Sequence, residues 1–287
     1  MTAVIPDLLA FIPSPTRGVF YIGPVPLHLY GLTLAIGVVA ATYLAEYRWK
    51  KMGNDPKEIS QIAVWVVVAG VIGARLYHVI TDYQLYTDQP LKALQIWSGG
   101  LAIWGAVMGG AIAVVILARR HRYDTLRLCD AIIPGVALAQ AIGRWGNYFN
   151  QELFGRPSTL PWAVEIDFVH RPDQYKAFAT FQPTFLYESL WCLLILGLLL
   201  WAERRRSHRK GQTMALYIVL YTAGRFVFEN MRSDPANTIA GLRVNAWVSI
   251  VLFLFGIAWF VWLGRRPEDP EARVTDDTDH EVVPGGR

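Results

Sequence analysis

The sequence predicts an all-α, polytopic membrane protein of about seven transmembrane helices. Hydrophobic residues make up 53% of the 287-residue chain and eleven residues are tryptophan, a composition outside the range of ordinary soluble domains. Seven apolar stretches reach or approach the ~20 residues that cross a ~30 Å hydrocarbon layer. Basic residues gather after alternate stretches only.

The stretches lie at 27–47, 59–80, 97–118, 128–147, 184–202, 212–230 and 245–263. Ahead of the first, Leu8–Ile12 is too short to span and is bounded by Pro6 and Pro13, so it is expected to rest on the interface. It lacks a basic front and a small-residue cleavage site, so no cleavable signal peptide is expected. Arg48, Lys50, Lys51 and Lys57 follow the first span, Arg119, Arg120, Arg122 and Arg127 the third, Arg204 to Lys210 the fifth, and Arg265 and Arg266 the seventh. The alternate loops are poor in such residues: 81–96 holds Lys92, and the long 150–183 holds Arg156, Arg171 and Lys176. The positive-inside rule then puts the N-terminus outside and the C-terminus in the cytoplasm.

The expected organisation is an extracytoplasmic, interfacial segment over 1–26, a seven-helix catalytic domain over 27–264 with a periplasmic arm at about 150–183, and a disordered cytoplasmic tail over 265–287. The tail beyond Pro267 is acidic and rich in Pro and Gly, a composition that buries little. The net charge of +4 is a topology signal beside the membrane, so the bilayer is a partner and nucleic acid is not. Cys129 and Cys192 fall at opposite ends of the bundle in this topology, so no disulfide is expected. Neither has a His, Cys or carboxylate at ligand spacing, and no metal or cofactor is expected. No internal repeat supports a transporter built from inverted halves.

Function is carried by the polar residues inside the spans. The run Leu128 to Ile142 closes on Gly143-Arg-Trp-Gly-Asn-Tyr-Phe-Asn-Gln-Glu-Leu-Phe-Gly155. A charge near the centre of a membrane helix costs about 2.5–3.5 kcal/mol or more. By helical rise, Arg75 and Arg144 lie about 24 Å, and Arg225 about 20 Å, from the inner edge of the core. His28 and Tyr30 open the first span, Gly99, Gly100 and Trp104 the third, and Gln182, Tyr187 and Glu188 the fifth, all at the outer face. The inner halves are nearly uniformly apolar, which disfavours a channel or transporter for an anion.

Structural roles compete with functional ones. Arg75 can snorkel to headgroups. Arg225 and Glu229, at i and i+4, can form a bundle-holding ion pair. Asn147 and Asn150 can bond between helices, and Gly99-Gly100 can simply allow close packing. Asp130 is expected at a helix terminus. Arg144 stands apart through its company: Gly143 and Gly146 permit close backbone approach, and Asn147, Asn150 and Glu152 follow it. A guanidinium in that setting can grip a phosphate bidentately.

The thirteen-residue segment closely resembles the signature of the prolipoprotein diacylglyceryl transferase family. Further matches follow in family order: Ile22-Gly-Pro-Val-Pro-Leu-His28-Leu-Tyr30, Trp97-Ser-Gly99-Gly100-Leu, Gln182-Pro-Thr-Phe-Leu-Tyr-Glu188 and Tyr221-Thr-Ala-Gly-Arg225-Phe-Val-Phe-Glu229-Asn-Met-Arg232. The resemblance extends to about residue 264. It implies transfer of the diacylglyceryl group of phosphatidylglycerol to the thiol of a lipobox cysteine in prolipoprotein signal peptides, with release of glycerol 1-phosphate. It also implies a multi-pass protein of the bacterial inner membrane whose active site faces outward. By motif, Arg144 and Arg225 handle the phospholipid, with Tyr30, Asn147, Glu152 and Glu229 lining the site and Arg232 just beyond. Gly155, Gly99 and Gly100 are expected beside the substrate. Two positions where some members carry histidine are Trp104 and Gln182 here. The base candidates are His28, Tyr30, Glu152 and the departing phosphate oxygen.

Overall fold

The computed structural model describes residues 11–15, 17–96, 99–205, 209–234 and 236–266. The expected tail beyond 266, most of the Leu8–Ile12 run, and Trp97 and Ser98 lie outside the described residues. Seven long helices form the body: α1 Leu29–Lys51, α2 Pro56–Thr81, α3 Ile103–Arg120, α4 Thr125–Asn150, α5 Thr184–Arg205, α6 Gln212–Met231 and α7 Val244–Gly264. Six of them are long and apolar enough to cross a membrane. The other, α6, packs along α7 and α5 and carries Gln212, Thr213, Arg225 and Glu229. Its polar load is what separates it from its neighbours.

Packing relies on small residues, because lipid offers no hydrophobic drive between helices. Gly73 of α2 and Gly105 of α3 approach so closely that a Cβ on Gly105 would lie 2.1 Å from the Gly73 carbonyl oxygen. On the α1–α4 seam, a Cβ on Gly135 would meet the Ala41 carbonyl at 2.6 Å. Ala at any of these positions would wedge the pair apart.

One expected helix start is corrected. The third span begins at Ile103, not 97, because Gly99 and Gly100 sit at φ +84° and +73°, a left-handed conformation that no helix interior accepts. Arg75 explains their placement. Its Nη1 donates to the carbonyls of Gly99 (2.6 Å) and Gly100 (3.0 Å), while Nε and Nη2 donate to those of Ala93 (2.9 Å) and Lys92 (2.6 Å). Arg75 is therefore the organiser of the α2–α3 loop, and snorkelling to headgroups does not describe it.

The expectation of apolar inner halves is also corrected. Arg48, counted above among the cytoplasmic basic residues, is buried within α1. It grips Glu203 of α5 with Nη1 and Nη2 at 2.6 and 2.7 Å. It also donates to the carbonyls of Asp130 (3.0 Å) and Ala131 (3.1 Å). Pro134 lies inside α4 and has no N–H, so the Asp130 carbonyl four residues back has no helical partner; Arg48 supplies one. The Asp130 carboxylate caps α6, accepting from Gly211 N (2.6 Å) and Met214 N (2.9 Å). It thus holds a helix terminus as expected, but that of α6. Thr213 completes the knot on Glu203 at 2.7 Å. Every group in it is paired, so it ties four helices together and offers no ion path.

Arg48→Met should leave Glu203 without its counter-ion and destabilise the fold by about 3–5 kcal/mol. Asp130→Ala, a lost cap, should cost about 0.5–2 kcal/mol. Thermal unfolding in detergent would show this order; an unshifted Tm for Arg48→Met would refute the assignment.

At the opposite end lie three small hairpins. β1 Val19–Ile22 pairs with β2 Val25–His28, placing Val19 opposite His28. In the 151–183 segment β3 Val164–Glu165 pairs with β4 Thr180–Phe181, over a cluster of Phe154, Val164, Ile166, Phe181 and Phe185. Trp162 ties this segment to α5 by donating to the Tyr187 hydroxyl at 2.8 Å. Finally, β5 Thr238–Ile239 pairs with β6 Leu242–Arg243. Its turn residues Ala240 and Gly241 are both left-handed, as a two-residue hairpin requires.

Candidate active site

The ends of α4, α5, α6 and α7 bring charged side chains together at the hairpin end. Arg144, in the last two turns of α4, forms an ion pair with Glu188 of α5, Nη2 lying 2.7 Å from Oε2. Arg225 of α6 approaches the same oxygen with Nη1 at 3.4 Å and reaches Glu229 Oε2 with Nη2 at 2.6 Å. One carboxylate oxygen therefore holds two guanidiniums from different helices side by side. Glu188 is buried and Glu229 is fully so, at 0% exposure, which strengthens the pairing by excluding water.

Glu229 gathers further partners. Arg232 Nη1 lies 3.4 Å from its Oε2, Asn245 Nδ2 donates to Oε1 at 3.3 Å, and Arg243 Nε sits 3.0 Å from Oε1. That last N–H is not aimed along a hydrogen bond, so the contact is an ion pair only. Asp234 joins Arg232 (2.7 and 2.8 Å) to Arg243 (2.8 Å). Partial burial works to raise the Asp234 carboxyl, but the hydrogen bonds and charges of Arg232 and Arg243 outweigh it and hold the group below the usual carboxylate range.

Across the site, Asn147 is buried on α4 and donates to Glu152 Oε1 at 2.9 Å, with Asn150 at 3.4 Å. The chain can place Glu152 there because Gln151 and Leu153 on either side of it are left-handed, at φ 51° and 57°. Tyr30 packs on Gly146, where an added Cβ would lie 2.5 Å from the ring. Tyr30, Asn147 and Glu152 thus gather around the end of α4 that carries Arg144, and the ion pairs of Glu188 and Glu229 join Arg225 and Arg232 to Arg144.

The family model described as prolipoprotein diacylglyceryl transferase matches residues 17–262. The chain belongs to this family. It is 48% identical over 261 residues to phosphatidylglycerol–prolipoprotein diacylglyceryl transferase 2 of Streptomyces coelicolor, covering 90% of this chain and 82% of that protein. Transferase 1 of the same organism is 49% identical over 269 residues, covering 93% and 78%. The Paenarthrobacter aurescens enzyme of the same name is 48% identical over 270 residues, covering 90% and 85%.

Against that family background, three motif residues, His28, Gly99 and Gly100, stand away from the charged network, while Gly155 meets it through the backbone alone. His28 is exposed at the end of β2, precedes α1 without capping it, and makes no ion pair among the described residues. Gly99 and Gly100 face Arg75. Gly155 is buried where the segment after α4 crosses the end of α6: it bridges Arg232 and donates to Gln182 O at 2.9 Å. A Cβ there would meet Gln182 at 2.9 Å and the Met231 carbonyl at 3.3 Å, so its role is close backbone approach.

Sequence reasoning passed over Glu188 as a site residue, along with Arg243 and Asp234. Glu188 stood within a quoted motif, and its position at the buried start of an apolar helix was a signal. Arg243 and Asp234 lie outside every motif.

Proposed function

We propose that this chain transfers the diacylglyceryl group of phosphatidylglycerol to the thiol of a lipobox cysteine, releasing glycerol 1-phosphate, the first step of lipoprotein maturation. The reading rests above all on the shared Glu188 oxygen, which holds Arg144 and Arg225 within reach of a single phosphate group. A guanidinium has five N–H donors in a rigid fork. The carboxylates engage one nitrogen of Arg144 and two of Arg225, Tyr221 also bonds Arg144, and the donors left over serve the phosphate oxygens. Preorganised donors of this kind stabilise the charge that grows on the leaving phosphate without reorganising.

In the reaction the thiol sulfur forms a thioether bond to the glycerol carbon as that carbon's bond to the phosphate oxygen breaks. The phosphate departs with the electron pair, and the thiol proton passes to a base or to that oxygen. Arg144 and Arg225 carry the phosphate, and Tyr30, Asn147 and Glu152 border the glycerol and the incoming thiol. The positive field of the arginines also lowers the thiol pKa from about 8.5, which leaves a modest task for any base. The protein is multi-pass in the bacterial inner membrane, with this site on the extracytoplasmic side and the segment at about 150–183 as a periplasmic arm.

Purified protein in detergent, given phosphatidylglycerol and a lipobox peptide, should add the diacylglyceryl mass to the peptide and release glycerol phosphate. A peptide that stays unmodified would overturn the assignment. Reporter fusions should place residues 53–56 and 121–124 in the cytoplasm and 84–90 and 170–176 outside. Periplasmic activity at 121–124 would reverse the orientation.

A further inference from the structure

The network around Glu229 extends past the residues that reach the phosphate. Arg243 comes from a separate element, the β5–β6 hairpin, and stands at the N-cap of α7. Its guanidinium lies 3.0 Å from Glu229 Oε1 and 2.8 Å from Asp234 Oδ2, and it donates to the carbonyls of Glu229 (3.2 Å) and Arg232 (3.4 Å). Nothing in these contacts touches Arg144 or Glu188. Taken together, the ion-paired groups are four guanidiniums (Arg144, Arg225, Arg232 and Arg243) and three carboxylates (Glu188, Glu229 and Asp234). The network is left with one positive charge, which a phosphodiester headgroup, with one negative charge, would neutralise.

We infer that Arg243 is a positioning residue for the phospholipid: it neutralises Glu229 and Asp234, so that Arg225 is not drawn wholly onto Glu229 and the ion-paired network keeps its single positive charge, Glu152 standing apart from that network on Asn147 and Asn150. This rests on the functional reading above. Without Arg243 the network would be neutral before lipid arrives, and Glu229, fully buried, would draw Arg225 and Arg232 more tightly onto itself. Binding a monoanion would then leave an uncompensated negative charge in a water-poor site, where such charges are costly.

Steady-state kinetics with phosphatidylglycerol in detergent and a lipobox peptide tests this. Arg243→Gln should raise KM for phosphatidylglycerol about tenfold, the scale of one unit charge removed roughly 12 Å away at an effective dielectric of about 20. KM for the peptide should stay near wild type, and Arg243→Lys should recover most of the loss. The decisive variant is Arg243→Gln with Asp234→Asn, which restores the surplus of one positive charge while removing two ion-pair members. Recovery of phosphatidylglycerol KM in the double variant supports the charge role. A double variant as poor as Arg243→Gln, or worse, means that Arg243 only ties the hairpin to α6 and overturns the inference. Should Arg243→Gln fail to fold, Asp234→Asn alone still decides: it raises the surplus and should lower KM for phosphatidylglycerol, and a raised KM refutes the idea. If the wild-type protein transfers nothing, the functional reading itself has failed.

Discussion

Arg144→Lys should lose transfer almost as completely as Arg144→Ala, with kcat/KM down by roughly 10³-fold or more for both, since each removes preorganised charge stabilisation that is commonly worth 10²–10³ per donor. The reason lies in how Arg144 is held. Its Nη2 lies 2.7 Å from Glu188 Oε2 and the Tyr221 side chain bonds the same guanidinium, so a planar fork has to serve these two and the phosphate at once. A lysine ammonium is a single point donor. It can satisfy Glu188 or the phosphate, but it cannot present a fork to one while bonded to the other. Folding should survive both changes, because Glu188 keeps Arg225 beside it. Membrane yield and Tm should stay close to wild type while peptide lipidation falls. A lysine variant with most of its activity would show that Arg144 acts as a point charge, and the fork would have to be abandoned.

The helical architecture was legible because its cause is local: apolar runs of membrane length, punctuated by basic turns. Arg144 and Arg225 were legible for the opposite reason, as charges where lipid makes charge expensive. What escaped depended on partners far away in the chain. Arg48 lies next to Lys50 and Lys51 and looks like part of a cytoplasmic basic turn; only the distant Glu203 and the Pro134-freed carbonyl of Asp130 turn it into a buried tie. Gly99 and Gly100 looked like the opening of the third span because their positive φ, and the grip of Arg75 on their carbonyls, cannot be read from spacing. Arg243 did carry a signal. In the expected topology it stands just outside the membrane, where the positive-inside rule leaves few basic residues, and a basic residue on the poor side calls for a carboxylate partner.

The sharpest remaining question is what activates the thiol, given Trp104 and Gln182 where histidines stand in some family members. Arg225→Gln should be far more damaging than His28→Gln. Arg225 touches both buried carboxylates, Glu188 at 3.4 Å and Glu229 at 2.6 Å, and its loss should cost about 10²–10³-fold in kcat from leaving-group stabilisation. Glu229 would still hold Arg232, Arg243 and Asn245, so the variant should fold. His28 is exposed and joins none of these contacts, and His28→Gln should keep much of the wild-type rate at neutral pH. If His28 were the base, the variant would be nearly inactive at pH 7, since a lost general base costs about 10²–10⁴-fold. It would recover as pH rises through the thiol pKa of about 8.5, where thiolate forms unaided. A pH–rate profile of the two variants with a lipobox peptide separates these outcomes. An inactive His28→Gln protein that binds phosphatidylglycerol normally and revives above pH 8.5 would make His28 the base and reduce the arginines to holding the phosphate.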